Sequence, residues 1–261
     1  MGLCKIIQQT CLAATAFLAA VSTSPTHATD FYWNGASGEL FTDPSKWALS
    51  NGTPANGPGG ASDTVNFDLN VLPENRYTVT NVTGQNSSLL VRNDSVQLDI
   101  TNYVLSGGPG PFSSPGLVVG VANGDTADVI LKGNGSSALT TSKDASIGQN
   151  GSIGTLTVDN LQWNSIFSGD LEIGNSGTLR IVNGSDVLTG GSSNIDGIVA
   201  VTGANSTWTN EFFIEVGYSG TGILNISDGG IVNSDDFFDS RIGFFPGATG
   251  MVTVTGIDID G

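Results

Sequence analysis

Apolar and polar residues alternate along this chain in very short stretches, and the stretches recur. In Ser176–Gly191, SGTLRIVNGSDVLTGG, the apolar positions are Leu179, Ile181 and Val187. In Gly220–Asp236, GTGILNISDGGIVNSDD, Leu224, Ile226 and Val232 repeat that spacing, and both stretches read L-x-I-x-[ND]-G-x-x-V. A second phrase, GIVAVTGANSTWTN at Gly197–Asn210, returns as GMVTVTGIDIDG at Gly250–Gly261. GTLTVDNLQWNS at Gly154–Ser165 is a more divergent copy, with Trp163 two residues nearer its strand than Trp208 is. Between phrases comes an [IV]-G mark at Val119-Gly120, Ile147-Gly148, Ile173-Gly174, Val216-Gly217 and Ile242-Gly243; Asp196 stands where another coil has its Gly. The full period is roughly 43 to 53 residues, made of two coils of roughly 20 to 28.

Period-2 alternation places the Leu-x-Ile and Val-x-Val pairs on one face of a strand, with Thr, Asn, Arg or Ala facing the other way. The Asn-Gly, Asp-Gly and Gly-Gly that follow supply the positive φ of a tight turn. One such coil cannot bury its own apolar side, so coils must stack. The expected fold is all-β: a single-stranded parallel β-helix, or β-solenoid. A propeller has a similar period. It is disfavoured because the strands are so short and because the [IV]-G marks fall once per coil, not once per blade. No window after the first 28 residues shows a 3.6-residue period.

The run Ile198–Asp236 resembles the autotransporter and PEP-CTERM-associated repeat of bacterial secreted proteins: V-T-V-x-G-x-x-S-x-W, then x-V-G, then G-x-L-x-I-x-x-G-G-x-V. The matching positions are Val199, Val201, Gly203, Ser206, Trp208, Val216, Gly217, Leu224, Ile226, Gly229, Gly230 and Val232. The resemblance covers Ile173–Gly261 best and thins over Val119–Asp170. It implies a secreted or surface-displayed β-helix and transfers no catalytic residue. The chain departs from such proteins in having no C-terminal barrel, sorting tail or closing cap, so further repeats and an anchoring domain are expected beyond Gly261.

Three segments follow. Residues 1–28 read as a secretory signal peptide: Lys5, an apolar run from Cys11 to Val21, then Thr26-His27-Ala28 as a small-x-small cleavage site. The apolar run is about half the length that spans a bilayer. Residues 29–75 read as an aromatic-rich N-terminal cap. Trp33, Gly35, Asp43, Pro44, Trp47, Pro54, Asp63, Val65 and Phe67 follow the W-x-G, D-P-x-x-W, S-D-T-V-x-F opening common in bacterial secreted repeat proteins. Trp33 and Trp47 are expected to cover the first coil and its strand edges; a carbohydrate platform is the alternative use of such rings. Residues 76–261 read as repeats, with strands at Tyr77–Val82, Leu89–Val91 and Val96–Ile100 and a Pro/Gly loop at Gly107–Gly116.

Composition narrows the chemistry. Cys4, Cys11 and His27 all lie within the first 28 residues. Once those are removed the chain has no disulfide, no thiol or imidazole nucleophile, and no imidazole or thiolate zinc ligand. The balance of 8 Lys and Arg against 24 Asp and Glu gives a formal charge of −16, which repels nucleic acid and anionic lipid. Gly, at 37 of 261 residues, marks a chain of many turns.

Paired acids are the only chemistry left to weigh. Asp235, Asp236, Asp239 and Arg241, in NSDDFFDSRIG, and Asp258 and Asp260, in GIDIDG, could hold calcium or serve a glycosidase or lyase. Their register between rungs makes them structural loops. NGPGG at Asn56–Gly60 lacks the Lys and helix of a phosphate loop. Trp163 and Trp208 read as packing residues, and Arg180 and Arg241 as solvated or paired with Asp. No catalytic, cofactor-binding or metal residue is assigned and no cofactor is expected, calcium being the one ion the acids would suit. The expectation is a non-enzymatic exported β-helix with a structural, display or adhesive role at the bacterial cell surface, its partners extracellular glycan or surface components. A polysaccharide lyase or hydrolase, and a calcium-binding surface-layer component, are the alternatives.

Overall fold

In the computed structural model, which describes residues 28–107, 115–166, 169–234 and 239–256, the chain is a parallel β-solenoid of about 7 turns. Each coil has three short strands on three faces. The first face stacks Thr64–Phe67, Ser88–Val91, Leu117–Val119, Ala145–Ile147, Leu171–Ile173, Ser193–Ile195, Ile214–Val216 and Arg241–Ile242. The second stacks Thr126–Lys132, Ile153–Asp159, Gly177–Val182, Ile198–Thr202, Thr221–Ser227 and Thr249–Thr255. The third stacks Ala138–Thr141, Gln162–Ser165, Asp186–Thr189, Thr207–Asn210 and Ile231–Ser234. The expected single-stranded parallel β-helix is therefore what the chain forms, and each phrase is one coil. Leu179 pairs with Val199 and Val199 with Leu224, so both kinds of phrase occupy the same faces in register.

The first two coils differ from the rest. Strands were expected at Tyr77–Val82 and Val96–Ile100, but Tyr77–Asn86 and Ser95–Leu105 run through the corner as single long strands. Ser95–Asp99 pairs with Asp128–Lys132 and Asn102–Leu105 with Ala138–Thr141, so the long strand joins the second and third faces into one 14-stranded sheet. In Ser95–Leu105 only Ile100 and Thr101 lie at the corner, and neither takes a positive φ, whereas Asn160, at the two-residue corner of the following coil, does so at φ 51° and the strand ends there. Of the expected Pro/Gly loop at Gly107–Gly116, residues 108–114 lie outside the described residues, as do residues 1–27 of the expected signal peptide.

The core is a set of columns. Phe67, Val91, Val119, Ile147, Ile173, Ile195 and Val216 stack along the first face, each last in its strand, and all are buried. The [IV]-G marks are these residues with their corners. Gly148 has φ +65°, and a Cβ there would lie 2.4 Å from the backbone of Gly177 one coil on. Two constraints thus coincide at this corner, a left-handed backbone and a neighbouring coil in contact. The corner between the second and third faces uses Asn as well, with Asn160, Asn183 and Asn205 at φ of 51° to 64°; Asn tolerates this region better than other side chains.

One column on the third face is polar inside. Leu139, Trp163, Val187 and Trp208 stack in register, and beside them run Thr141, Ser165, Thr189 and Asn210. All eight are buried. Two of these hydroxyls, Thr141 and Thr189, serve the indoles, which need acceptors when buried. Trp163 Nε1 donates to Thr141 Oγ1 at 3.1 Å and Trp208 Nε1 to Thr189 Oγ1 at 3.2 Å. Thr189 donates to Asn210 Oδ1 at 2.6 Å, and Asn210 Nδ2 donates to the Phe213 carbonyl. The two Trp share a column although their sequence spacing differs, because the shorter Asn160-Leu161 corner absorbs the difference.

At the N-terminal end Trp33, Phe41, Trp47, Phe67 and Tyr103 form an aromatic cluster. Trp33 and Trp47 meet edge to face at 5.2 Å, and Phe41 meets Trp47 at 5.1 Å. Trp47 Nε1 donates to the Phe41 carbonyl at 2.8 Å. Asp30–Trp33 pairs in parallel with Thr64–Phe67 and antiparallel with Trp47–Leu49, so the cap also supplies edge strands. The first ladder strand, Thr64–Phe67, falls within the segment read from sequence as the cap. At the opposite end the inward positions of the last described coil are open: Val254 is 69% exposed and Ile242 61%.

Gly148→Ala and Gly124→Ala separate the two demands on glycine. Both glycines have positive φ, but a Cβ on Gly124 meets nothing within 4 Å. Gly124→Ala should cost about 1–2 kcal/mol in urea unfolding from backbone strain alone. Gly148→Ala should cost about 3–5 kcal/mol, because the coils must also move apart.

Candidate functional site

The acidic residues show where chemistry could be placed, and the ladder has claimed many of them. At the corner leading into the first face, Asp144 Oδ1 accepts the Asp170 backbone N–H at 3.0 Å, and Asp170 Oδ1 accepts that of Ser192 at 2.8 Å. Each acid thus ties its coil to the next. Asp63 accepts from Thr29 N and Gly60 N. Asp125 accepts from Val121 N and Ala122 N. Asp94, buried, accepts from Leu69 N and Val71 N and from the Tyr77 hydroxyl. Burial pushes the Asp94 carboxyl above the usual range against these hydrogen bonds, and holds the Tyr77 phenol far above its own.

Asp196, the residue that replaces a corner glycine, is bound in the same way. It accepts from Ser219 N and Oγ and from Gly220 N of the next coil. Its φ is not in the left-handed region, so at this corner a side-chain clamp replaces a glycine turn.

Asp235, Asp236, Asp258 and Asp260 lie outside the described residues. Asp239 is exposed. Arg241, expected to be solvated or paired with Asp, is exposed and pairs not with an Asp but with buried Glu215 at 3.2 Å; it lies 4.6 Å from the Phe244 ring centroid. Arg180 is exposed, while Trp163 and Trp208 are buried as packing residues. Trp33 and Trp47 are also buried, at 2% and 1% exposure, so neither offers a flat face to a sugar. In the Asn56–Gly60 stretch Gly60 N donates to Asp63 Oδ2, which puts a carboxylate where a phosphate loop needs bare N–H groups. Among the described residues no group of three or more acids is placed to hold a metal ion, and no helix is long and apolar enough to cross a membrane.

Two features escaped the sequence reading. One is an acidic trio on the first face. Partial desolvation by the packed coils, then the Asp144 and Asp170 charges, raise the carboxyl of Glu172, whose side chain still reaches solvent, and burial with Asp144 raises that of Asp170. The other is an open cleft of about 390 Å³ at the corner between the second and third faces, lined by Thr80, Asn81, Gln97, Asp99, Ile100, Thr101, Lys132, Gly133, Asn134 and Ser137. A signal for it exists: KGNGSS, Lys132–Ser137, is a longer turn sequence than its counterparts, Asp159–Leu161 in the following coil and Asp99–Thr101 in the preceding one.

Comparison with protein-family models, with curated proteins and with solved structures finds no match. The functional reading therefore rests on this chain's own residues and geometry.

The trio sets a pH dependence. A carboxyl whose folded pKa is raised favours folding below its unfolded value and loses that contribution as pH rises through the folded value. At neutral pH Glu172 is therefore a cost. Glu172→Gln should raise the thermal midpoint at pH 7, and the gain should vanish near pH 4, where the native carboxyl is protonated. Glu172 is exposed, so solvent screening keeps the gain small, roughly 1–2 °C, and molar salt should reduce it further.

Proposed function

We propose that this chain is an exported, non-enzymatic β-helix that serves as a rigid structural or adhesive element at the bacterial cell surface. One observation carries the reading: inward positions stay apolar from coil to coil while the outward position beside them changes freely. On the second face Val129, Leu156, Leu179, Val199 and Leu224 stack inward. One residue further along, the outward column runs Ile130, Thr157, Arg180, Ala200, Asn225. A frame of this kind holds its shape while its surface varies, which suits presentation to partners.

Other features support the same reading. The signal-peptide pattern of residues 1–28 and the resemblance of the phrases to the autotransporter and PEP-CTERM-associated repeat favour export. Asp63, Asp94, Asp125, Asp144, Asp170 and Asp196 bond backbone N–H groups, a use that is architectural. A formal charge of −16 keeps such a rod soluble and off anionic partners.

Expression of the full-length chain in a Gram-negative host tests this. The expected product begins at Thr29 by N-terminal sequencing and is degraded by protease added to intact cells or found in the medium. A cytoplasmic product that retains residues 1–28 would overturn the proposal.

A further inference from the structure

We infer that the cleft at the corner between the second and third faces is a binding groove for an extended, uncharged glycan; the inference rests on the adhesive reading above. The cleft arises where the coil pattern is broken. The corner has only Ile100 and Thr101 in one coil and Asn160 and Leu161 in another, but Gly133–Ser137 in the coil between them. The longer turn forms one wall. Opposite it, the pairing of Tyr77–Asn86 with Ser95–Leu105 shifts register between Val79 and Val82, and Asn81 sits there at φ +55°. Irregularities of this kind re-aim side chains and gather at functional places.

The polar groups are held by one another with part of their capacity unused. Asn134 Oδ1 accepts from Ser136 N and Ser137 Oγ, each at 3.0 Å, which leaves its two N–H donors. Asn81 Oδ1 accepts from Thr101 at 3.4 Å, which leaves its donors too. Gln97 Nε2 donates to Asp99 Oδ1 at 2.8 Å, which leaves the Gln97 carbonyl and the second Asp99 oxygen as acceptors. Lys132 is the register partner of Asp99 on the adjacent strand, yet forms no salt bridge among the described residues.

Donors and acceptors are thus interspersed along one open cleft, with the aliphatic Ile100 in its lining. A vicinal pair of sugar hydroxyls both donates and accepts, and matches such a lining. Asp99 and Lys132 offset each other's charge, and the net charge of −16 opposes a polyanion. The volume of about 390 Å³ is at the small end for ligand sites, and its open shape fits a chain laid across it better than an enclosed metabolite.

Calorimetric titration of the purified exported chain with cellohexaose, xylohexaose, mannohexaose and hexagalacturonate tests this. At least one neutral hexasaccharide should bind, with little dependence on salt. Asn81→Gly keeps the positive φ while removing the amide, and Gln97→Ala removes an acceptor on the neighbouring strand, Ser95–Leu105. Each should weaken binding about fivefold, the loss of one net hydrogen bond, with the thermal midpoint of each checked for folding. Asn225→Ala, on the second face outside the groove, should bind as the parent does. Binding of none of the neutral probes, equal binding by the groove variants, or binding of hexagalacturonate alone with loss in salt would each overturn the groove. Because export is read separately, the groove can fail while the surface reading stands.

Discussion

Along the described ladder, inward side chains rest on their counterparts one coil away. In a parallel ladder the strands are about 4.8 Å apart, so a residue cannot change size without its neighbours above and below changing too. The columns show how this is met. Along the first face Val119, Ile147, Ile173, Ile195 and Val216 are interchangeable β-branched residues. On the third face the large Trp163 and Trp208 are separated by the smaller Val187, so each indole overlies an aliphatic neighbour. The polar column beside them follows from the same constraint. Indole N–H groups buried without a partner would be costly, and Thr141 and Thr189 are placed to accept them.

Coil spacing also governs the corners. A corner that carries a side chain toward the neighbouring coil pushes the coils apart, and Gly148 shows how little room there is. Two solutions recur. One is glycine in the left-handed region. The other, at Asp196, is a carboxylate that reaches across to the next coil's N–H groups. The Asp144–Asp170–Ser192 chain is a third use of the same bond, repeated from coil to coil. It gives the acidic composition a structural role. Its cost is desolvation of the carboxyls and, after that, proximity of like charges, and the carboxyls of Asp170 and Glu172 are raised by both.

Most of the ladder was legible in the sequence because its determinants are local. Leu-x-Ile pairs, Asn-Gly turns and [IV]-G corners lie within a few residues of one another, and the stack repeats them. The aromatic end was legible too, since Trp33 and Trp47 stand out in composition, though not that Trp47 would bond the Phe41 carbonyl. What could not be read was anything that depends on which coil lies next to which. Asp170 meets Ser192 and Arg241 meets Glu215, pairs that are distant in sequence and brought together only by register. The cleft was hidden for a related reason. Its cause is a difference in length between neighbouring corners, and a pattern search aligns the strands and treats corner length as noise.

That difference bears on where function can sit in such a fold. A perfectly regular solenoid presents flat faces, and flat faces with alternating small polar residues bind little. Concavity requires a coil that departs from its neighbours, and departure is cheapest where the inward columns are undisturbed. The Gly133–Ser137 turn meets that condition: Leu131 before it and Leu139 after it remain buried in their columns. The excursion between them is solvated, so it adds little entropic cost for its length. A solenoid can thus acquire a site by lengthening one corner without repacking its core. The same logic leaves the exposed Lys132 before the turn and Asn134 within it freer to change than the leucines on either side. The placement of the cleft at a corner, and not on a face, therefore follows from the stacking constraint that holds the ladder together.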